Sequence, residues 1–226
     1  SLALVGLPAL LILQQPDLGT ALLIAASGLV VLFMAGVGWS YIFGAVCLAA
    51  VSAWPAWQFV LKDYQKQRIL TMLDPESDKL GAGWNIIQSK TAIGSGGWDG
   101  KGWLRGTQSQ LDFLPESHTD FIIAVLAEEH GLRGVLMLMG LYLLILLRGF
   151  WIGLRAQTSF GRMMAGSLTL TFFVYIFVNM GMVAGLLPVV GVPLPLVSAG
   201  GTSVVTLMAG FGILMAVSTE KPMVAR

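Results

Sequence analysis

Charge is what this 226-residue chain has least of: 13 Lys and Arg against 12 Asp and Glu, together 11% of the residues. A soluble domain carries about 25%, so an ordinary cytosolic globule is excluded. The formal net charge of +1 leaves no basic surplus to hold nucleic acid and no acidic surplus for a solvating tail. The single cysteine, Cys47, lies in an apolar run, cannot form an internal disulfide, and reads as packing. There are two histidines, and no His-x-x-x-His or paired-cysteine spacing to hold zinc. Internal repeats and low-complexity tracts are also missing. What is present is apolar: 56% hydrophobic residues and a mean hydropathy of +0.79 exclude disorder and leave an all-α, multi-spanning membrane protein.

The charge-free runs set the spans. From Leu18 to Leu61 no residue is charged, and spans are predicted near 18–35 and 40–61, divided at Gly36-Val37-Gly38 with Trp39 and Tyr41 at an interface. A second charge-free run, Met163–Thr219, holds two more spans. It is broken by Pro188, Pro193 and Pro195, which end a helix and predict a loop or re-entrant segment over 186–198. Such backbone survives at membrane depth only inside protein or around a water-filled cavity. One more span ends near Arg148. Its approach carries Asp120, Glu128, Glu129 and Arg133, which predicts a long, bent helix whose first turns line a cavity. Leu2–Leu13 is about 18 Å of helix, too short for a hydrocarbon core of about 30 Å. It opens without Met or a basic n-region, so it reads as the tail of a span rather than a signal peptide. The expectation is about six spans, the first truncated, in the C-terminal portion of a longer polypeptide.

Residues 62–120 concentrate 15 of the 25 charges, predicting one large extramembrane loop over 62–119 within a single membrane domain spanning 1–226. Arg148, Arg155 and Arg162 flank a short connection, and Lys221 and Arg226 end the chain. By the positive-inside rule these lie in the cytoplasm, so the large loop and the proline segment face outward.

The candidate chemistry sits in that loop. Gly94 through Gly102 could cradle phosphate on backbone amides. The cluster is not a P-loop, because Ser95 stands where glycine is required and Gly102 follows Lys101; turn geometry is the simpler reading. Ser117-x-x-Asp120 fits a helix-capping box. A carboxylate at the outer membrane edge is also partly desolvated, which raises its pKa towards that of a useful general base. Asp120 and Glu128 are eight helical positions and about 12 Å apart, beyond the separation of paired glycosidase carboxylates. His118 reads as a structural or substrate contact, Asp17 as a cap for the following span, and Asn179 as a hydrogen-bond partner for a neighbouring helix. Arg68, Lys90, Lys101 and Arg105 are by default solvated.

Together the motifs resemble a known family. Gln15-Pro16-Asp17-Leu18-Gly19-Thr20, Leu73-Asp74-Pro75-Glu76-Ser77-Asp78, Gln88-Ser89-Lys90-Thr91-Ala92-Ile93-Gly94-Ser95-Gly96-Gly97, Phe113-Leu114-Pro115-Glu116-Ser117-His118-Thr119-Asp120-Phe121 and the run Gly185 to Ser198 are similar to the SEDS proteins (shape, elongation, division, sporulation). Gly100 through Leu111 resembles the elongation branch, RodA, rather than the division branch, FtsW. One departure is Ala199, where the family usually has tyrosine before Gly200-Gly201.

The resemblance implies a ten-span bacterial inner-membrane protein that polymerises peptidoglycan from lipid II at the outer face, with polyprenyl-diphosphate-linked glycan as the growing chain. It implies Asp120 as the essential acid and Asp17 as a second sensitive acid. Arg68, Lys90, Lys101, Arg105, Glu116, His118 and Ser198 become candidates for binding substrate. A divalent cation, Mg or Mn, is expected beside the diphosphate leaving group. A class B penicillin-binding protein transpeptidase and other elongation-complex proteins are the expected partners. The proline segment would give polyprenyl chains lateral access. Two other functions remain open: a lipid-linked precursor transporter, and a non-catalytic scaffold of the elongation machinery. The 226 residues alone are expected to be inactive, because the family places further cavity residues in spans not present here.

Overall fold

The computed structural model describes residues 2–15, 18–78, 81–110 and 116–220, and every regular element among them is helical. Asp17, Lys79, residues 111–115 and 221–226 lie outside the described residues. In chain order the helices are α1 (Leu2–Gln14), α2 (Leu18–Met34), α3 (Trp39–Pro55, continued by a wide turn Ala56–Val60), α4 (Asp63–Leu73), α5 (Ala82–Gly96), α6 (Thr107–Gln110), α7 (Ile122–Arg155), α8 (Ser159–Val183) and α9 (Gly201–Thr219). Three of them, α7, α8 and α9, are long and apolar enough to cross a membrane; α1, α2 and α3 are shorter apolar helices. This is a polytopic helical membrane protein.

Small residues let the helices approach. A side chain at Gly28 would collide with Val5 of α1, and one at Gly149 with Thr169 of α8. Close backbone approach of this kind replaces the hydrophobic drive that is missing between helices in lipid. Many large apolar side chains are exposed on α3, α7 and α9, among them Phe43, Val51, Leu144 and Met215, as a lipid-facing surface requires. The buried residues Phe121, Ile123, Tyr142, Phe172, Ile176, Met182, Val183 and Leu194 form one cluster. Tyr142 and Phe172 meet edge to face at 5.9 Å, and Phe172 meets Phe211 of α9 at 5.5 Å.

Three features differ from the sequence expectations. The charged region 62–119 is itself largely helical: α4, α5 and α6 occupy it, and α5 runs on through Gly94 and Ser95 to Gly96. Gly96 belongs there because a side chain would strike the backbone at Ala127, so glycine permits α5 to lie directly on α7. The capping box does not form. Phe121 is the N-cap of α7, with no side-chain cap bond, and Asp120 is turned elsewhere. The bend expected in α7 is a complete break at Gly131, with φ +64° and ψ −165°.

That break is filled from outside the helix. It would orphan the carbonyls of Glu128 and Glu129 and the amides of Leu132 and Arg133. Lys101 and Gly102 donate their amides to those carbonyls at 2.9 Å, and Gly97 and Trp98 accept from those amides at 2.9 and 3.3 Å. Gly100 and Gly131 touch backbone to backbone, where neither could carry a side chain. Beyond the break, residues 132–155 are about 36 Å long, enough to cross a bilayer core. Residues 184–200, including the three prolines, form no helix, as their sequence predicts.

Candidate functional site

Asp120 lies on the tight turn leading into α7, and three elements hold that turn. The Thr119 and Phe121 amides both donate to the Glu116 carbonyl, at 3.3 and 3.2 Å, so the chain wraps on itself between 116 and 121. From α8, fully buried Asn179 donates through Nδ2 to the carbonyls of Asp120 (2.9 Å) and Val192 (2.6 Å). From the proline segment, the Ser198 hydroxyl donates to the Thr119 carbonyl and accepts the Leu194 amide, while the Ala199 amide donates to the His118 carbonyl. The Tyr142 hydroxyl of α7 donates to Pro195 O at 2.6 Å, which fixes the segment from beneath.

The turn therefore belongs to the C-terminal end of α8. Asn179 lies four residues before the end of that helix, about 6 Å in. Gly191 faces the carboxylate: its φ is +78°, and a side chain there would come within 3.5 Å of Asp120 Oδ2. Val190, next in the chain, abuts Gly19 at the start of α2 so closely that Gly19 could carry no Cβ. The signature around Gly19 is thus brought against the segment that holds Asp120, while Asp17 itself lies outside the described residues.

Asp120 is 9% exposed. Burial, then a side-chain hydrogen bond from Glu116, then the negative charge of Glu116, push its carboxyl from 3.8 up to about 6. The group is then largely ionised at neutral pH yet still basic, the condition for taking a proton. Glu116 itself is exposed, as is His118 beside it.

The remaining predicted residues divide. Lys90 comes to the edge of this region, its ammonium lying over Gly185 just beyond α8, with neighbouring Ser89 donating to the Val183 carbonyl at 3.0 Å. Lys101 is committed elsewhere: its Nζ lies 2.7 Å from Glu128 Oε1 and 2.8 Å from Thr107 Oγ1. Glu128 is fully buried and also accepts from the amides of Thr107 and Gln108. A carboxylate so enclosed is not the second member of a hydrolytic pair with Asp120. Arg105 is exposed on the loop before α6, and Arg68 is half-buried on α4, which packs against α5. Ser198 is occupied by backbone partners and serves to tie the turn.

Among the described residues no three His, Cys, Asp or Glu side chains converge as metal ligands, so these residues do not by themselves fit a resident divalent ion. A cavity of about 370 Å³ opens between α8 and α9, lined by Phe172, Tyr175, Pro193, Pro195, Thr206 and Phe211 among others. It shares the proline segment with the Asp120 turn.

Of two positioning residues, the sequence reading gave one the wrong partners and missed the other. Asn179 was expected to bond a helix; it bonds two loop carbonyls instead. Its signal was that it is the only amide side chain in the charge-free run Met163–Thr219. Tyr142 gave no signal, since an interior tyrosine looks like any other apolar span residue.

Fold and site together define a polytopic helical membrane protein with a buried carboxyl on the turn where the start of α7 meets a proline-rich segment. The family model described as "Cell cycle protein", covering FtsW, RodA and SpoVE, matches residues 1–223, and the chain belongs to that family. It is 61% identical over all 226 residues to peptidoglycan glycosyltransferase MrdB of Escherichia coli K12, covering 61% of that protein. It is 42% identical over 212 residues to the probable peptidoglycan glycosyltransferase FtsW of Geobacter metallireducens, covering 93% of this chain and 55% of that one. The chain thus spans about three fifths of the length of these relatives. Among solved structures, one described as "Structural coordination of polymerization and crosslinking by a peptidoglycan synthase complex" superposes with a TM-score of 0.77 at 33% identity, over 96% of this chain and 59% of the other. The rod shape determining protein RodA of Thermus thermophilus superposes with a TM-score of 0.60 at 28% identity, over 96% and 53%.

Proposed function

We propose that the protein containing this chain is a peptidoglycan glycosyltransferase of the elongation type, joining lipid II disaccharides into glycan strands during rod-shape growth. The observation that carries the reading is the Asp120 carboxyl, buried against Gly191 on a turn tied to α8 and raised to about 6. The 61% identity to a peptidoglycan glycosyltransferase over the whole chain supports the same activity.

In this reading Asp120 takes the proton from the acceptor sugar hydroxyl as its oxygen bonds the anomeric carbon. The bond from that carbon to the diphosphate breaks with its electron pair leaving on the polyprenyl diphosphate. Lys90, whose ammonium lies over Gly185 beside the end of α8, is the cation assigned to meet that charge. A divalent Mg or Mn would arrive with the diphosphate, and no step depends on it. The apolar cavity bounded by Pro193 and Pro195 accommodates part of the polyprenyl chain.

The whole chain acts as one membrane unit in the bacterial inner membrane. Residues 62–119 and 186–198 face outward and the C-terminus faces the cytoplasm. A class B penicillin-binding protein transpeptidase, with other elongation proteins, is the proposed partner; the structural neighbour described as a peptidoglycan synthase complex supports it. The test is glycan formation from labelled lipid II by the full-length protein with and without Asp120→Asn. Polymer from the wild type and none from the variant supports polymerisation. Equal polymer from both removes the base, and movement of lipid II across vesicles without polymer would favour the transporter.

A further inference from the structure

The end of the helical bundle away from Asp120 carries a second cavity, and its walls are charged. α7 begins beside Asp120 and ends at Arg155, while α9 begins beyond the proline segment and ends at Thr219. Where the two helices end, a cavity of about 260 Å³ opens between Arg148, Trp151, Arg155 and Gln157 on one wall and Ser218 and Glu220 on the other. Arg148, Trp151 and Arg155 are three and four residues apart, so they share one face of α7. The Arg155 guanidinium lies over the Trp151 ring, 4.3 Å from its centroid, which fixes the plane of its N–H donors.

The charge of this cavity is not balanced. Among the described residues neither arginine forms an ion pair. Glu220 shares the cavity, and its carboxylate accepts the Thr158 hydroxyl at 3.3 Å. Asp17 and Asp112, outside the described residues, adjoin the other end of the bundle. Asp17 precedes α2, whose Gly19 meets Val190, and Asp112 follows α6, whose amides hold Glu128 ahead of the Gly131 break. Residues 221–226 contain Lys221 and Arg226 and no acid. The described side chains of the cavity thus carry two positive charges and one negative. An arginine at a helix C-terminus suits the helix dipole, and arginines at a membrane edge suit the positive-inside rule. Neither reading requires an opposite wall or a guanidinium stacked into place. Toward the membrane interior the same stripe turns apolar: Leu144 and Leu147, four residues before Arg148 and Trp151, are both exposed. An occupant therefore finds a cationic pocket at one end and an apolar helix face along its length.

We propose that this cavity binds the headgroup of an anionic phospholipid of the phosphatidylglycerol type. Its phosphodiester lies between Arg148 and Arg155, whose forked N–H donors match phosphate oxygens. The single negative charge cancels the surplus of the cavity, and the glycerol hydroxyls donate to Glu220 and meet Ser218 and Gln157. A phosphatidylethanolamine headgroup has no net charge and leaves the surplus standing, while the two charges of cardiolipin exceed it. The acyl chains run along Leu144 and Leu147. With the C-terminus in the cytoplasm, the lipid belongs to the inner leaflet. The site is separate from Asp120, so the outcome of the polymerisation test does not bear on it.

The test is native mass spectrometry of the full-length protein, delipidated in detergent and titrated with phosphatidylglycerol, phosphatidylethanolamine or cardiolipin of matched acyl chains. Phosphatidylglycerol should bind most tightly. Arg148→Gln and Arg155→Gln should each weaken it about fivefold and together about thirtyfold, as expected for one and two basic residues facing anionic lipid. Arg162→Gln, on α8 and outside the cavity, should weaken it less than about twofold, since the solvent screens its charge. Glu220→Gln should tighten it, because glutamine keeps an acceptor for the hydroxyls and drops a like charge. All four positions are exposed, so the variants keep the fold. Equal losses from all three arginine variants would overturn the proposal, leaving only a diffuse cationic belt. Tighter phosphatidylethanolamine binding that Glu220→Gln weakens, a preference for cardiolipin, or displacement of the lipid by inorganic phosphate would overturn it as well.

Discussion

Asn179→Leu tests how the site is held without touching the reacting groups. The native side chain donates two hydrogen bonds, to Asp120 O and Val192 O, and is completely buried. Leucine keeps the branching and the number of heavy atoms, so the change removes the donors without opening a cavity, while its bulkier methyl groups add some overpacking at this buried position. Hydrogen bonds between membrane helices are worth about 0.6 kcal/mol on average and up to about 1.7 kcal/mol, which for two gives about 1–3 kcal/mol. The two carbonyls left behind are buried, which favours the upper part of that range. Thermal unfolding followed by tryptophan fluorescence in detergent should show a fall in Tm of about 3–10 °C, at roughly 2–4 °C per kcal/mol for a unit of this size. Polymerisation should fall further than stability alone predicts at a temperature where the variant is fully folded, because the Asp120 turn is no longer pinned to α8. An Asn179→Leu protein with wild-type Tm and turnover would refute the argument that this amide sets the carboxylate's position.

Other consequences follow from the same structure. Gly131→Ala places a side chain into the backbone of Gly100 and Trp98 and imposes a glycine-only φ/ψ, so a loss of at least about 1–3 kcal/mol is expected from the backbone alone, read as a lowered Tm or failed expression. Lys101→Met removes the ion partner of a buried carboxylate that keeps its Thr107 and Gln108 donors, so its loss should stay below the about 3–5 kcal/mol of a stranded charge, while Arg105→Met, at an exposed position, should change stability by no more than about 0.5 kcal/mol. Polymerisation should fall as the pH drops below about 6, roughly tenfold per unit, because Asp120 works only when ionised. The linked effect on stability has the opposite sign. A carboxyl raised from 3.8 to about 6 in the fold stabilises the folded state fully below the unfolded value, and that contribution disappears as the pH rises through 6, so Tm should decline slightly between pH 4 and 7.

Much of this was legible in the residues, and the reasons differ by element. The apolar helices follow from charge-free runs, and the non-helical stretch from Pro188, Pro193 and Pro195, because both signals are local. Asp120 stood out as part of a motif and as a charge at a membrane edge, and the fold buries it on the turn before α7. Its capping role was not realised, because contacts from Asn179 and Ser198, 59 and 79 residues away, turn the backbone before the helix starts. The break at Gly131 was hidden for a similar reason: a glycine within a helical pattern is ordinarily tolerated, and only the loop at 97–102 supplies the donors and acceptors that make a break affordable. Lys101 looked solvated because its partner, Glu128, lies 27 residues on, across that same insertion.

The central claim is that the Asp120 carboxylate removes the acceptor proton, and its most direct test measures binding and turnover on one sample of full-length Asp120→Asn protein. Fluorescent lipid II should bind within about threefold of wild type, since the asparagine fills the same space, while glycan synthesis should fall by about 10²–10⁴. Glycan strands made at near wild-type rate by that variant would contradict the account.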